Sequence, residues 1–221
     1  MRKVTTYLKN YIERSRLARQ WPDDEEHATR YWATLSDYHL TNDDDPIAVE
    51  RSEWLARDVL EPLAIQSLLE VGCNSGRNLA IAKRLLPELE VAGFDVNPLA
   101  VEHARKIHPN LDIQLADANE WPAAANSVDA ILTMSVLDHI PRPAVETVAH
   151  NMAVTSARYV VCVELFDGGD GRRDIYKYSY DLAALFGEFG VKPVRWEPAQ
   201  GQYDTASSRL NLFVGDCSNV N

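Results

Sequence analysis

Three acidic side chains and one short turn carry most of the chemistry that this sequence offers. The stretch LLEVGCNSGRN, residues 68–78, runs from apolar residues through Glu70 into a turn that contains Gly72 and Gly76. Two further acids, Asp95 and Asp117, close the apolar runs that come next along the chain. A carboxylate accepts several hydrogen bonds, so three of them at one place would suit a ligand with hydroxyl, amino or cationic groups.

The turn disfavours one common ligand. Gly72 lets the chain turn sharply, and Gly76 opens the next helix without a side chain against a ligand. A dinucleotide-binding turn of the form GxGxxG would also need glycines at 74 and 77, where this sequence has Asn74 and Arg77. Asparagine adopts positive φ at modest cost, so the turn geometry survives at Asn74. With Glu70 just ahead of it, the turn predicts a ligand other than NAD.

The other two acids predict an adenosine pocket. Asp95 ends the run VAGFD, where its two oxygens could accept from both hydroxyls of a ribose. Asp117 could accept from an adenine amino group, while the N–H of Ala118 reaches a ring nitrogen. Taken singly, each aspartate is an ordinary strand end or helix cap. Taken with the turn, they indicate one binding site.

Alternating apolar runs and helical segments would bring these residues to one edge of a sheet. Strands are predicted at 67–71, 91–95, 111–115, 128–134 and 158–165, and helices at 77–86, 98–107, 142–152 and 179–189. The segments 191–198 and 208–215 have no helix between them and predict an antiparallel C-terminal hairpin. The fold class is therefore α/β, a three-layer Rossmann-like sheet that is mostly parallel, with ligands at the carboxyl ends of its strands.

The first 62 residues predict a helical layer packed on a main domain of residues 63–221. Its last helix, ERSEWLARDVLEPL, is expected to stop at Pro62. Aromatic residues in this layer, with Tyr38 and His39 as candidate substrate contacts, either close over the pocket as a lid or simply pack against the core.

The motifs together resemble the class I S-adenosylmethionine-dependent methyltransferases. The resemblance rests on LLEVGCNSGRN, GFDVNPLAVEHAR and LADANEWPAAANSVDAILTMSVLDHIP, and it spans about residues 67–214. It implies a seven-stranded sheet whose last strand is inserted antiparallel, and S-adenosyl-L-methionine as cofactor. The implied cofactor contacts are Glu70, Gly72, Cys73, Asn74, Gly76, Asn78, Asp95, Val96, Asp117, Ala118 and Ser135. A partial similarity links the chain to methyltransferases of nonulosonic (pseudaminic-type) acid biosynthesis.

The stretch SVLDHIP, residues 135–141, should edge the methyl end of the cofactor. Methyl transfer is mostly alignment, with a base where the acceptor must lose a proton. His139 is the candidate general base because imidazole titrates near neutral pH, although it could instead only hydrogen-bond the backbone. Asp138 is more simply a helix cap or loop acid, and no metal site is expected.

Acceptor recognition is predicted in the segment ELFDGGDGRRDIYKYS, residues 164–179. This glycine-rich loop carries Arg172, Arg173 and Tyr178, which could bind an anionic acceptor such as a carboxylate or phosphate. The alternative is a solvated loop with no binding role.

Composition limits the partners. The chain has 221 residues, 46% of them hydrophobic, and a net charge of −11, so an acidic surface disfavours nucleic acid. Residues 1–20 are the exception, with six basic residues and one acidic residue, and form either a solvated helix or a binding arm. Three widely spaced cysteines, no apolar run of membrane length and no signal sequence predict a cytoplasmic protein.

Three functions follow in order of preference. The first is methylation of a small-molecule acceptor, supported by the complete cofactor series without an added recognition domain. The second is methylation of a protein or RNA through residues 1–20. The third is a cofactor-binding regulatory module without turnover.

Overall fold

The computed structural model describes residues 22–35, 45–122, 124–174, 176–200 and 209–220. The basic segment 1–20 and the candidate substrate residues Tyr38 and His39 lie outside these ranges. The described chain begins with helix α1, Glu25–Ala33, and helix α2, Pro46–Trp54. The proposed division at residue 62 stays a prediction.

Seven strands form one twisted sheet, as the sequence predicts. They are β1 (Ser67–Val71), β2 (Glu90–Asp95), β3 (Asp112–Leu115), β4 (Val128–Met134), β5 (Ser156–Leu165), β8 (Lys192–Pro198) and β9 (Leu210–Asp216), in the spatial order β3-β2-β1-β4-β5-β9-β8. The first five strands pair in parallel, and β9 is antiparallel to both β5 and β8. The order reverses between β1 and β4, which places a crevice at their carboxyl ends.

Helices cover both faces of the sheet. They are α3 (Arg77–Leu85), α4 (Pro98–Ile107), α5 (Ala144–Thr155) and α6 (Leu182–Gly187). Neighbouring residues of β4 alternate between the two cores: Leu132 packs with residues of α2, α3 and α4, and Ile131 packs with residues of α5 and α6. Because the central strands are buried on both faces, they appear in the sequence as continuous apolar runs.

The helix predicted to stop at Pro62 ends one residue after it, at Leu63, which is the last residue of the predicted segment. After α2 the chain makes a wider π-helical stretch, Leu55–Leu60, then a last turn, Glu61–Leu63, and ends at Ala64 with φ +49°. Proline has no N–H to donate to the carbonyl four residues earlier. That carbonyl, on Asp58, accepts instead from the Arg195 guanidinium at 2.9 Å.

The glycine-rich segment after β5 is more ordered than the sequence suggested. It contains a hairpin of β6 (Gly171–Asp174) and β7 (Lys177–Ser179), separate from the main sheet. Tyr176 and Tyr178 are buried, and the Tyr176 ring packs 5.5 Å from that of Tyr31 on α1. Tyr176 thus packs in a small cluster with α1, whereas Tyr178 belongs to the core formed with α5 and α6. None of the helices within the described ranges is long and apolar enough to cross a membrane.

Candidate active site

A cavity of about 430 Å³ opens at the carboxyl ends of β1, β2 and β4, with α1 and α2 forming the facing wall. This size falls in the range of roughly 300–1,000 Å³ that is usual for small-molecule sites. Ten of the eleven predicted cofactor contacts and the candidate base line it: Glu70, Gly72, Cys73, Asn74, Asn78, Asp95, Val96, Asp117, Ala118, Ser135 and His139. The exception is Gly76, where a Cβ would meet Ile113 Cδ1 at 2.7 Å rather than the cavity.

The turn after β1 has the backbone geometry that the sequence predicts. The φ angles are +70° at Gly72, +49° at Asn74 and +79° at Gly76, which confirms that asparagine at 74 takes a left-handed conformation. The N–H groups of Gly72 and Cys73 both donate to the carbonyl of Phe94, at 2.8 and 2.9 Å. The turn is therefore tied to the end of β2.

Asp95 joins this turn to the start of α4. One carboxylate oxygen accepts from the Asn74 N–H at 2.8 Å, and the other accepts from the Asn97 N–H at 2.8 Å. Burial raises the pKa of Asp95, and these backbone bonds oppose the rise. Each carboxylate oxygen has a second lone pair, so Asp95 keeps the capacity to accept ribose hydroxyls.

Glu70 is the most deeply buried acid of the cavity, with 1% of its surface exposed. One oxygen accepts from the Asn78 amide at 2.6 Å, and Asn78 in turn accepts from the Ser52 hydroxyl at 2.6 Å. The other oxygen has no hydrogen-bond partner within the described part of the chain. Burial is the largest cause that raises the pKa of Glu70, to about 8.

Two residues of α2 that were missed in the sequence contribute here: Arg51 lines the cavity, and Ser52 supports residues of α3 from outside the lining. Ser52 also accepts from the Arg77 guanidinium at 3.1 Å, and Arg51 lines the cavity with only 7% of its surface exposed. The only feature of the sequence that could have indicated Arg51 and Ser52 is that they are polar residues on the buried side of a predicted helix. The contacts of Ser52 with α3 join it to residues 25 and 26 positions away. No local sequence pattern indicates contacts of that kind.

The predicted adenine end also has its backbone geometry set by an aspartate. One oxygen of Asp117 accepts from the Asn119 N–H and from the Asn119 side-chain amide, each at 2.9 Å. The same amide lies 3.4 Å from the Thr29 hydroxyl, so this loop also touches α1. The assignment of Asp117 and Ala118 to adenine stays a prediction.

Another part of the cavity wall is built by the turn after β4. Ser135 has φ +54° and donates its N–H to the Val163 carbonyl at 2.9 Å. The Nδ1 atom of His139 lies 2.9 Å from the carbonyl oxygen of Tyr176. Since a carbonyl can only accept, we assign the proton of the neutral ring to Nδ1. Nε2 then has a free lone pair, as a general base requires.

The surroundings of His139 restrict its ring. The Trp32 ring lies 4.0 Å away between centroids, and 16% of the His139 side chain is exposed. Nε2 is 3.4 Å from the nearer carboxylate oxygen of Asp138, which is itself 2% exposed. Asp138 lies inside a 3₁₀ turn, Leu137–His139, that has no side-chain cap. Of the two alternatives for Asp138, the helix cap is therefore wrong, and the acid in a loop segment agrees with the structure, where Asp138 is buried beside the candidate base.

The three predicted acceptor contacts from the hairpin do not border the cavity. Arg172 is paired with Asp23 at 3.0 Å, Arg173 with Asp167 at 2.6 Å, and the Tyr178 hydroxyl donates to Asp23. Their role as acceptor contacts is a prediction that this placement does not support. The hairpin residues that do line the cavity are Asp174 and Lys177. The described ranges contain no cluster of three or more histidine, cysteine or acidic residues arranged to hold a metal.

The cavity contains buried polar atoms that suit a ligand. Besides the second oxygen of Glu70, the side-chain oxygen of Asn74 is buried without a hydrogen-bond partner among the described residues. Buried polar groups are normally paired, because an unpaired one costs free energy. Two such acceptors in the wall beside the turn fit a ligand that brings amino or hydroxyl donors, as an amino-acid-linked adenosine does.

Comparison with known families identifies the class of domain. Residues 68–156 match the family model described as a methyltransferase domain. Over 90 residues the chain is 36% identical to the trans-aconitate 2-methyltransferase of Methylobacterium radiotolerans, a match that spans 41% of this chain and 34% of that protein. The matched part of this chain thus spans only 34% of the length of that relative, and 26% of the length of a second curated relative.

Solved structures share the fold. The N-methyltransferase NodS from Bradyrhizobium japonicum WM9 superposes with a TM-score of 0.62 at 25% identity, covering 79% of this chain and 98% of that one. The 1,6-didemethyltoxoflavin-N1-methyltransferase of Burkholderia thailandensis, solved with 1,6-didemethyltoxoflavin and S-adenosylhomocysteine, gives a TM-score of 0.64 at 16% identity, covering 82% and 84%. The chain has the class I methyltransferase fold, and residues 68–156 are similar to the methyltransferase domain of that family model.

Proposed function

We propose that this protein transfers a methyl group from S-adenosylmethionine to a small-molecule acceptor. The observation that carries the proposal is a single cavity with two kinds of lining. The turn after β1 and three acids from successive strands line it together with His139. Such a cavity suits a cofactor with an adenosine and an amino-acid part beside a reacting group.

The residues present fit this cofactor. Asp95 would accept from the ribose hydroxyls, Asp117 with Ala118 would border the adenine, and Glu70 would face the amino group of the methionine part. When bound, the cofactor supplies a methyl group that its sulfonium has already activated for transfer. Arg51, on the other wall at this end, offers the positive charge that a carboxylate requires.

His139 would accept the proton that the acceptor nucleophile loses. Its Nδ1–H is held by the Tyr176 carbonyl, so the Nε2 lone pair is the basic atom. Trp32 restricts the ring on one side, which favours one orientation of the imidazole. Protein alignment of the reactants then supplies most of the rate enhancement, because the transfer is an in-line displacement.

The acceptor is proposed to be small. Helix α1 forms part of the cavity wall through Thr29 and Trp32, leaving an opening suited to a compact molecule. The relatives act on different small molecules by their names, trans-aconitate in one case and 1,6-didemethyltoxoflavin in another. A sugar or other biosynthetic intermediate, as the partial similarity to nonulosonic acid methyltransferases implies, is the narrower hypothesis.

We place the protein in the cytoplasm and expect no nucleic-acid partner. Cys73, Cys162 and Cys217 are free and buried, which fits a reducing compartment. The net charge of −11 opposes binding to a phosphate backbone.

The test is transfer of labelled methyl from S-adenosylmethionine into cell extract, separated into small molecules and macromolecules. Label in the small-molecule fraction is expected, and identification of the product names the acceptor. For an acceptor that loses a proton, His139→Ala should lower the rate by about 100-fold, whereas His150→Ala, on the exposed side of α5, should not. Label only in protein or RNA would replace the proposal, and cofactor binding without transfer would indicate a regulatory module.

A further inference from the structure

Glu164 is a buried acid that the proposed reaction does not yet use. It lies on β5, behind the wall of the cavity, and only 2% of its surface is exposed. Its neighbours in sequence, Val163 and Leu165, are buried apolar residues. A carboxyl group at such a position costs free energy unless it is well paired, and an apolar residue would fill the strand more cheaply.

The contacts of Glu164 lead to the turn that carries His139. The Val136 N–H lies 3.0 and 3.2 Å from the two carboxyl oxygens of Glu164, and the Asp138 N–H lies 3.2 Å from one of them. These N–H groups stand at the start of the 3₁₀ turn Leu137–His139, which has no side-chain cap of its own. Glu164 therefore satisfies backbone donors that nothing within the turn satisfies.

The same contacts reach the cofactor turn. Val136 packs so closely on Gly72 that a Cβ at position 72 would lie 2.5 Å from Val136 Cγ2. By holding the Val136 N–H, Glu164 fixes the side chain that touches the turn after β1. By holding the Asp138 N–H, it fixes the backbone beside the candidate base. One carboxyl group thus holds both the backbone beside the candidate base and the residue that packs on the turn after β1.

We propose that Glu164 is a positioning residue for methyl transfer: it holds the turn at 135–139 so that His139 faces the cavity at a fixed distance from Gly72. Its effect on transfer rests on the proposed function, while its effect on the turn does not. Residue 164 does not line the cavity, so it acts through Val136 and Asp138 and not on the ligand.

Substitutions separate this role from general stability. Glu164→Met has a similar length but no acceptor for the two N–H groups. Glu164→Gln keeps a carbonyl acceptor at the same place, and because burial and the Asp138 charge raise the pKa of Glu164, the neutral amide is a close mimic. Glu164→Asp keeps the carboxyl group but shortens the side chain by one methylene, which moves the carboxyl group away from the two N–H groups. Glu90→Met, at the exposed start of β2, is the matched control.

Three measurements read the variants. Long-range ¹H–¹⁵N NMR reports which ring nitrogen of His139 carries the proton, titration calorimetry gives the affinity for S-adenosylhomocysteine, and labelled methyl transfer into extract gives the rate. We expect Glu164→Met and Glu164→Asp to disturb the His139 signals and to lower transfer at least tenfold while affinity changes less than about fivefold. Glu164→Gln and Glu90→Met should behave as wild type.

The outcomes separate a positioning role of Glu164 from a purely structural one. Unchanged His139 signals and transfer in folded Glu164→Met would overturn the inference. If Glu164→Met does not fold, the measurements on Glu164→Asp test the inference instead. A parallel loss of cofactor affinity and of methyl transfer in Glu164→Asp would mean that Glu164 has only a structural role. If the wild type does not bind S-adenosylhomocysteine, the proposed function fails, yet the NMR comparison still tests whether Glu164 holds the turn.

Discussion

The close contact between Gly72 and Val136 gives the sharpest single prediction. Gly72 has φ +70°, and a Cβ added there would lie 2.5 Å from Cγ2 and 3.0 Å from Cγ1 of Val136. Alanine is the smallest residue that places an atom at this point. Gly72→Ala therefore perturbs the turn that joins the predicted cofactor contacts without adding any polar group.

The size of the effect has two parts. A non-glycine residue in the left-handed region costs about 1–2 kcal/mol, and overpacking a buried contact costs about 1–3 kcal/mol. Val136 cannot withdraw freely, because its N–H is held by Glu164 at 3.0 Å. We therefore expect the free energy of unfolding to fall by about 2–5 kcal/mol. The larger Gly72→Val should abolish cofactor binding.

A double-mutant cycle with Val136→Ala isolates the contact. Urea denaturation gives the free energy of unfolding for Gly72→Ala, Val136→Ala and the double variant. Val136→Ala removes both clashing methyl groups, so the steric part of about 1–3 kcal/mol should appear as a favourable interaction energy. Gly168→Ala is the control, since φ there is also positive, at +90°, and nothing lies within 4 Å of a Cβ.

Two results would refute this reasoning. One is a Gly72→Ala cost below about 0.5 kcal/mol, which is the range of ordinary surface substitutions. The other is an additive cycle, because the side chains would then not meet as the structure places them. Equal losses in Gly72→Ala and Gly168→Ala would mean that the positive φ, not the contact with Val136, sets the cost.

Other predictions concern the same cavity. Asn74→Gly should keep cofactor affinity within about tenfold, roughly 1.4 kcal/mol by calorimetry, because the φ of +49° at Asn74 suits glycine; complete loss would contradict this. The folded pKa of Glu70, about 8, exceeds its ordinary 4.5, so the Glu70 contribution to stability is greatest below pH 4.5 and falls as pH rises to 8. Urea titrations at pH 5 and 8 should show that the free energy of unfolding of Glu70→Gln rises relative to that of the wild type as the pH rises, by at most about 5 kcal/mol. The same difference between the two proteins at both pH values would contradict the burial of an acid at this position. Asn97→Ala should cost about 1–2 kcal/mol of unfolding free energy, since Asn97 caps α4 and donates to the Trp32 and Leu35 carbonyls; an unchanged urea midpoint would contradict this.

The strand pattern was readable because it depends on local residue types. The middle residues of β4 and β5, 130–132 and 160–163, are fully buried, and each set stands in the sequence as a short apolar run. The turn after β1 could be predicted for the same reason, since glycine and asparagine, which stand at 72, 74 and 76, tolerate positive φ. The antiparallel insertion of the last strand into a seven-stranded sheet followed from the resemblance and not from any periodicity.

What the sequence could not indicate depends on contacts between distant residues. Glu164 looked like one polar residue in a strand, and its partners lie 26 and 28 positions away. The pairing of Arg172 with Asp23 crosses from the hairpin to the start of α1, so a charge that seemed free for an acceptor is engaged elsewhere. Charge type is visible in a sequence, but its partner is set by the fold.

The central claim is that the cavity at the ends of β1 and β2 binds the cofactor through Asp95. Calorimetric titration with S-adenosylhomocysteine should show one site in the wild type and at least tenfold weaker binding in Asp95→Ala. Asp112→Ala, an exposed aspartate at the other end of the sheet, should bind as wild type, with thermal unfolding confirming that both variants fold. No binding by the wild type, or equal binding by folded Asp95→Ala and Asp112→Ala, would contradict the assignment.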